Sequence, residues 1–490
     1  MNALAIIVAG LFALFVGLVL AVAGELGFVL LVPLMAVALI LYDYRVAVIL
    51  LAMLIPLSGS MFVPRLPGLN PYTYLTAAAI VGLIMSRFTG SKPFVWPPRV
   101  LLFCFALPLL VGVILGLPRL DEGERNLRQF EPQAILDATG YIRRFILTPV
   151  VLIGFSVLLA NAVADSKKPE RFVVLFALSA VSVVTYVILF TLSKGVGWGP
   201  HRWVIGKAGM HYNNYGQLFA LAFGPLLYVA FSERGVWRYF FGFAALVVFV
   251  GLVFNFARAG MLAGLITLGM FLWHRRSFGV AATIVGLLLV VIVFAPEEWH
   301  SRMFQGADEV TSSYRGERYT ELTAGRLVGW FDLAPDVALS PLYGRGMLST
   351  LWSDAVRQGL YVSNHPHNMY LQLLLDVGVL GFAAVLFFFY ALLRKMRDLS
   401  RDEAIEPRLR AFFAGSFASF AAVLALSVTG WSWYPEHEQG FLWFSVGLVF
   451  AYWRRSAKQA VPDSDAAASM SFRRAPQAYW RSTTTAHRKQ

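Results

Sequence analysis

Long apolar runs alternate along the chain with short polar connections, and the runs have the length of bilayer crossings. Spanning about 30 Å of hydrocarbon takes roughly 20 apolar residues in a helix, fewer where neighbours shield the ends. The runs are 2–24, 27–42, 46–63, 72–87, 99–117, 145–163, 172–193, 215–231, 238–256, 259–274, 278–295, 369–393, 410–430 and 439–453. A helix satisfies its own backbone amides, so each run is predicted to be helical in lipid. The expected fold is an all-α integral membrane protein of about 14 transmembrane helices with one large, partly helical outer loop. The first run has no basic segment before it and no small-residue cleavage site after it, and reads as a retained span.

Alternating the connections between the two sides leaves one assignment in which Lys and Arg collect in the cytoplasm. Arg45, Arg87 with Lys92 and Arg99, Lys167 with Lys168 and Arg171, Arg234 with Arg238, Arg275 with Arg276, and the stretch 394–410 then lie inside, as do both termini. Three outer connections are long: 118–144, 194–214 and, above all, 296–368. Loops of that last length carry function or are disordered. Within it Thr323 is the expected N-cap of a helix over 324–338, with Leu327, Trp330, Phe331 and Ala334 on one side and Pro341 beyond its end. The chain divides accordingly into an N-terminal bundle (1–193), a second set of spans (194–295), the outer loop (296–368), C-terminal spans (369–453) and a basic tail (454–490) expected to be disordered.

Composition agrees with this threading. Hydrophobic residues make up 58% of the 490 residues and charged residues 14%, with a mean hydropathy of +0.65, outside the range of soluble domains. A net charge of +13 would ordinarily raise nucleic acid as a partner. Here the basic residues sit at the ends of apolar runs and in the tail, so membrane topology accounts for them and no nucleic-acid partner is expected. The single cysteine, Cys104, lies in an apolar run, which excludes a disulfide framework.

Candidate chemistry concentrates around the large loop. The segment SNHPHNMYLQLLLDVGVLG (363–381) joins it to the next span, with His365 and His367 just above the membrane. Asn368, Gln372 and Asp376 follow at helical spacing on one face, which must look into the bundle or a wet cavity, because lipid is costly for polar groups. The alternative is a packing stripe of hydrogen-bonded side chains. Histidine, with an unperturbed pKa of about 6.5, takes up a proton near neutral pH and serves as a general base; it also occurs simply as an interfacial residue. A metal site on His365 and His367 has little support, since two positions apart on an extended segment they point to opposite sides. Arg258, where the ninth run meets the tenth, and Arg326, in the first turn of the loop helix, offer planar donor forks matched to phosphate oxygens. Arginine at such places also marks interfaces by snorkelling. Trp198, Trp203, Trp431, Trp433, Trp443 and Trp453 read mostly as an interfacial belt, and Trp330 and Trp431 are candidates for stacking on sugar rings.

Three segments resemble the O-antigen ligase and polymerase family of bacterial inner-membrane enzymes. FARAGMLAG is similar to that family's SRGA-type segment, with Ala257 for its serine and Ala259 for its glycine. GRLVGWFDLAPDVALSPLYGRG resembles its run from Gly-Arg through Trp to Pro-Leu and Gly-x-Gly, and HPHNMYLQLLLDVGVLG its His-Asn signature, with Asp376 where glutamate is usual. The resemblance covers roughly 198–453. It implies a glycosyltransferase of the C type, working without metal or other cofactor and with inversion. The implied donor is an undecaprenyl diphosphate-linked glycan, and the implied acceptor a lipid A core, another glycan or a protein. It assigns His367 as catalytic base and Arg258 and Arg326 to the diphosphate, with His365, Asn368, Gln372 and Asp376 in support. A ligase label is preferred to a polymerase. The reading from another class is a transporter or flippase, which should show internal repeats or helices broken near the midplane.

Overall fold

In the computed structural model, the residues described are Ile40, 42–57, 71–90, 93–194, 202–276, Gly286, Glu297, His300, 310–314, 317–320 and 326–453. The run 2–24, the run 278–295 apart from Gly286, the expected cap Thr323, Trp198 and the tail lie outside them, as does all but the end of run 27–42.

The described elements are α1 (Arg45–Leu54), α2 (Pro71–Thr89), α3 (Arg99–Gly116), α4 (Leu120–Leu127), α5 (Ala138–Ile142), α6 (Thr148–Asp165) and α7 (Arg171–Ser193). There follow α8 (Arg202–Lys207), α9 (Tyr212–Ser232), α10 (Gly235–Phe254), α11 (Arg258–Arg275), α12 (Arg326–Ala338), α13 (Asp354–Arg357), α14 (Met369–Arg401), α15 (Pro407–Leu426) and α16 (Gly440–Tyr452). A small antiparallel hairpin, β1 (Val310–Tyr314) with β2 (Glu317–Thr320), departs from the wholly helical expectation. Seven helical stretches among the described residues are long and apolar enough to cross a membrane: Arg99–Leu127, Ala138–Asp165, Arg171–Ser193, Tyr212–Ser232, Gly235–Phe254, Met369–Arg401 and Pro407–Thr429. This is a multi-pass membrane protein. Helices α2, α11 and α16 occupy three further predicted runs without meeting that measure.

Helix α9 is the hub, packed against α10, α11 and α15 and buried continuously from Tyr215 to Ala230. Packing between helices in lipid depends on close approach and local hydrogen bonds rather than on water exclusion. Gly224 of α9 meets Gly415 of α15, where a side chain on either would collide with the other's backbone. Pro225, one residue on, cannot donate to the helix ladder. Ser419 of α15 bridges the rung just before it, donating to the Ala220 carbonyl (2.8 Å) and accepting from the Gly224 amide (3.0 Å).

The segment 341–347, near the end of the long connection before α14, is inserted into the bundle. Helix α14 breaks at Gly378 (φ 66°, ψ −171°), which frees backbone groups on both sides. The loop segment 341–347 takes them up: Arg345 and Gly346 amides donate to the Leu375 and Asp376 carbonyls (2.8 and 2.9 Å), while the Val379 amide donates to the Pro341 carbonyl (2.8 Å) and the Leu380 amide to the Leu342 carbonyl (3.1 Å). On its other side the Met347 amide donates to Gly112 of α3 (2.8 Å). Gly344, Gly346 and Gly378 all have positive φ, and a Cβ on any of them would overlap facing backbone. The Gly-Arg-Gly and Asp-Val-Gly stretches therefore meet as one backbone lock. Gly346→Ala is expected to cost about 2–4 kcal/mol, seen as a clear drop in the thermal unfolding midpoint of the purified protein.

The lock is reinforced by side chains. The Asp376 carboxylate, fully buried in the bundle, accepts from the Ser349 hydroxyl (2.7 Å), the Ser349 amide (3.2 Å) and Trp433 Nε1 (3.2 Å). Arg345 pairs with Asp336 of α12 and donates to the Trp352 carbonyl (2.9 Å). Through these bonds α12 is tied to the α14 break. The face of α12 that packs inward carries Gly329, Leu333 and Asp336. Of the apolar side read from the spacing, Leu327 and Phe331 are exposed, Phe331 at 77%, because the pairing of Asp336 with the buried Arg345 and the seating of Gly329 on the Tyr361 ring fix the helix rotation.

Candidate functional site

Helices α9, α11, α12 and α14 begin, and α15 ends, in one region. The other ends of α9, α11, α14 and α15 hold the basic connections, where Arg408 at the start of α15 pairs with Glu233 just past the end of α9 (2.7 Å). The candidate residues thus lie at one pole of the bundle and the clustered cations at the opposite pole.

The His365–Pro366–His367 turn is held from three sides. Trp330 Nε1 of α12 donates to the Pro366 carbonyl (2.8 Å), and the Tyr361 and Ser363 hydroxyls donate to the His365 carbonyl (2.8 and 3.1 Å). The His367 amide donates to His365 Nδ1 (3.1 Å), which fixes the proton of neutral His365 on Nε2. His367 has a φ of 49°, a left-handed conformation that costs of order 1–3 kcal/mol for a non-glycine residue. The two rings lie 3.9 Å apart between centroids. This corrects the expectation of an extended segment with opposed side chains: the left-handed residue after Pro366 folds the chain back, so both histidines face the same space. No group of three or more metal-ligating side chains occurs among the described residues.

Arg326 opens α12 and donates to the Thr429 carbonyl (2.6 Å) at the end of α15. The next residue, Gly430 (φ 114°), lies against His367, where an added Cβ would come within 3.2 Å of its Cα. Arg326 and His367 therefore flank the same turn. Arg258 opens α11, whose start is fixed by a close crossing of Gly260 on Gly216 of α9 and by Asn255, whose amide donates to the Tyr212 carbonyl. Burial lowers the pKa of the Arg326 guanidinium, and the charge of Arg258 lowers it further, while Tyr212 and Tyr361 act the other way. Two cations close enough to feel each other's charge gain from an anion bound near both.

The histidines lie in the same field. Burial first, then His365, Arg326 and His211, hold His367 down at about 3. Burial, with the Arg144 charge next, holds His365 at about 4. Both rings are consequently neutral at physiological pH. Among the described residues no protein group hydrogen-bonds the His367 ring, which leaves it able to accept a proton from a bound hydroxyl.

Two features were not picked out from the sequence. His211 caps α9, accepting from the Asn213 amide (3.3 Å), and its charge reaches both histidines. A His before a helix start was its only signal. Arg144 makes a two-pronged pair with Glu436 (both contacts 2.8 Å) and lies over the Phe145 and Tyr434 rings. Burial would raise the Glu436 carboxyl, but Arg144 holds it ionised; the neighbouring Glu438 is pushed up by burial and by Glu436.

The supporting residues divide. Asn368 caps α14, accepting from the Tyr370 and Leu371 amides (3.0 and 3.2 Å), and so sets where His367 leaves the helix. Gln372 and Asp376 are buried one and two turns further in, and Asp376 serves the backbone lock. Trp431, Trp433 and Trp443 are buried rather than part of an interfacial belt, because Trp433 reaches Asp376 and Trp443 reaches Gln439 (3.3 Å) inside the bundle. The Trp330 indole N–H is engaged by Pro366.

No curated protein and no solved structure matches the chain. A family model described as O-Antigen ligase matches residues 216–386, a stretch that contains Arg258, Arg326 and His367. That match, over roughly a third of the chain, supports the O-antigen ligase and polymerase family and implies an enzyme of the glycosyl-transfer type.

Proposed function

We propose that this protein transfers a glycan from undecaprenyl diphosphate to a sugar hydroxyl at the periplasmic face of the bacterial inner membrane, in the manner of an O-antigen ligase. What supports the proposal is that Arg326 and His367 flank one turn, and that the charge of Arg258 acts on Arg326, at the pole away from the clustered cations. Neutral His367 takes the proton of the acceptor hydroxyl as its oxygen attacks the anomeric carbon. The bond from that carbon to the diphosphate oxygen breaks, and the electron pair leaves with the lipid diphosphate. Arg258 and Arg326 neutralise the charge that builds there, supplying the positive charge without a metal ion. In-line attack inverts the anomeric centre. The exposed apolar residues of α12, Leu327 and Phe331, fit a helix lying at the membrane interface, where a lipid-borne donor arrives.

Among the described residues, the break in α14 is a feature that also belongs to transporters. There, broken helix ends face the substrate. Here the loop backbone occupies the freed groups at Leu375, Asp376, Val379 and Leu380, so the break anchors the loop. The transferase reading is preferred for that reason.

The proposal is tested with purified protein, a lipid-linked repeat unit and a separate acceptor. Product is expected only when the acceptor is present. Chain growth from lipid-linked units alone would replace the ligase reading by a polymerase, and absence of glycan transfer under both conditions would remove the transferase reading.

A further inference from the structure

The pole opposite the site holds a cavity of about 470 Å³ between the end of α11, the last turns of α14 and the middle of α15. Trp273, His274, Arg276, Arg397, Arg401 and Phe417 line it. A second lobe of about 460 Å³ shares Arg397, Arg401 and Phe417 and adds Arg394, Tyr390 and one carboxylate, Asp398. We propose that this groove binds the phosphate headgroup of an anionic membrane phospholipid.

Three observations point to that ligand. Among the described residues none of Arg276, Arg397 and Arg401 has a carboxylate partner in an ion pair, whereas at the same pole Arg408 is paired with Glu233 and Arg87 with Asp165 (3.1 Å). Cations that serve only topology need no shared cavity; these three have one. Secondly, the part of α14 beyond its break at Gly378, 379–401, runs for about 35 Å, longer than the roughly 30 Å of hydrocarbon. Its last turns, with Arg394, Arg397 and Arg401, therefore stand at headgroup depth. Trp273 is 80% exposed and Tyr390 60%, as amphipathic rings are on the lipid-facing side of an interface. Thirdly, the floor under the arginines is apolar, with Phe417 and Ala414 in one lobe and Leu393 in the other. A phosphate ester could be free or lipid-borne. An apolar floor opening at the bundle's outer surface suits the glycerol and first acyl carbons below the phosphate, and favours the lipid. The site is remote from His367, so it stands or falls independently of the transferase reading.

The test is native mass spectrometry of the whole protein released from detergent with phosphatidylglycerol, cardiolipin, phosphatidylcholine or inorganic phosphate. Retention of the two anionic lipids, at least tenfold above phosphatidylcholine, is expected. Arg276→Gln/Arg397→Gln/Arg401→Gln should lower anionic-lipid affinity about tenfold or more, while Arg171→Gln, at the same pole but outside the groove, should not. Should the triple variant fail to fold, Arg397→Gln alone and the lipid selectivity of the wild type decide. Equal retention of phosphatidylcholine, an equal loss in Arg171→Gln, or undiminished binding in a folded groove variant would overturn the proposal. Saturation by inorganic phosphate with no preference for lipid would show a free-phosphate site and overturn it as well.

Discussion

Replacing His367 by Asn is expected to reduce glycan transfer by about a hundredfold to ten-thousandfold, the usual contribution of a positioned general base, while donor binding and membrane insertion persist. Asn is the sharper choice than Ala because it tolerates the left-handed backbone that His367 occupies, with φ at 49°. The substitution then removes the proton acceptor without straining the turn that Trp330 and Tyr361 hold. Transfer within a few fold of wild type would remove the base assignment. The pH profile carries the same idea with a defined sign. His367 must be neutral to act, and burial beside His365, Arg326 and His211 holds it at about 3 in the free protein. The acid limb of kcat/KM should therefore lie well below the 6.5 of an exposed histidine. Binding a diphosphate beside Arg326 offsets that cation's repulsion and makes the ring more basic. The acid limb of kcat should accordingly sit at higher pH than that of kcat/KM, and coincident limbs at 6.5 would contradict the placement of His367 among these charges.

Arg258→Lys and Arg326→Lys should each slow transfer by about a hundredfold or more, as loss of one preorganised charge partner does. Lysine keeps the charge and loses the planar fork. For Arg326 there is a second loss: one arm of its guanidinium holds the Thr429 carbonyl, and a lysine ammonium cannot keep that bond and reach a phosphate with the same geometry. The effect belongs mainly in kcat if the arginines meet charge that develops as the diphosphate leaves, and in KM if they only hold the ground state. A variant with full activity at either position would argue against a diphosphate clamp.

Much of this arrangement is written in local sequence. The apolar runs 99–117, 172–193, 215–231 and 410–430 correspond to helices among the seven span-length stretches, since hydropathy over a span is a strong signal. The helix opened by Arg326 is equally legible from its spacing. What sequence hides is the direction of side chains that depend on partners distant in the chain. The inward face of α12 follows from Asp336 meeting Arg345 and Gly329 meeting Tyr361, and the apolar spacing of Leu327 and Phe331 does not reveal it. Asp376 shares a helix face with Asn368 and Gln372, which made it a candidate for chemistry; Ser349 and Trp433 claim both of its oxygens. The break at Gly378 could not be foreseen either, because its stability comes from loop backbone more than thirty residues earlier in the chain. His365 and His367 changed relation most. An extended segment would have parted them, and one left-handed residue brings their rings together.

The central claim, that Arg258, Arg326 and His367 surround the donor's diphosphate, is tested most directly by photo-crosslinking. An undecaprenyl diphosphate-linked glycan with a photoreactive group beside the diphosphate would be bound to the wild-type protein and the adducts mapped by peptide mass spectrometry. The account predicts adducts within 255–261, 326–330 and 363–370, and their loss in Arg258→Lys/Arg326→Lys. Adducts confined to Arg397, Arg401 and their neighbours at the opposite pole, or adducts unchanged in the double variant, would contradict it.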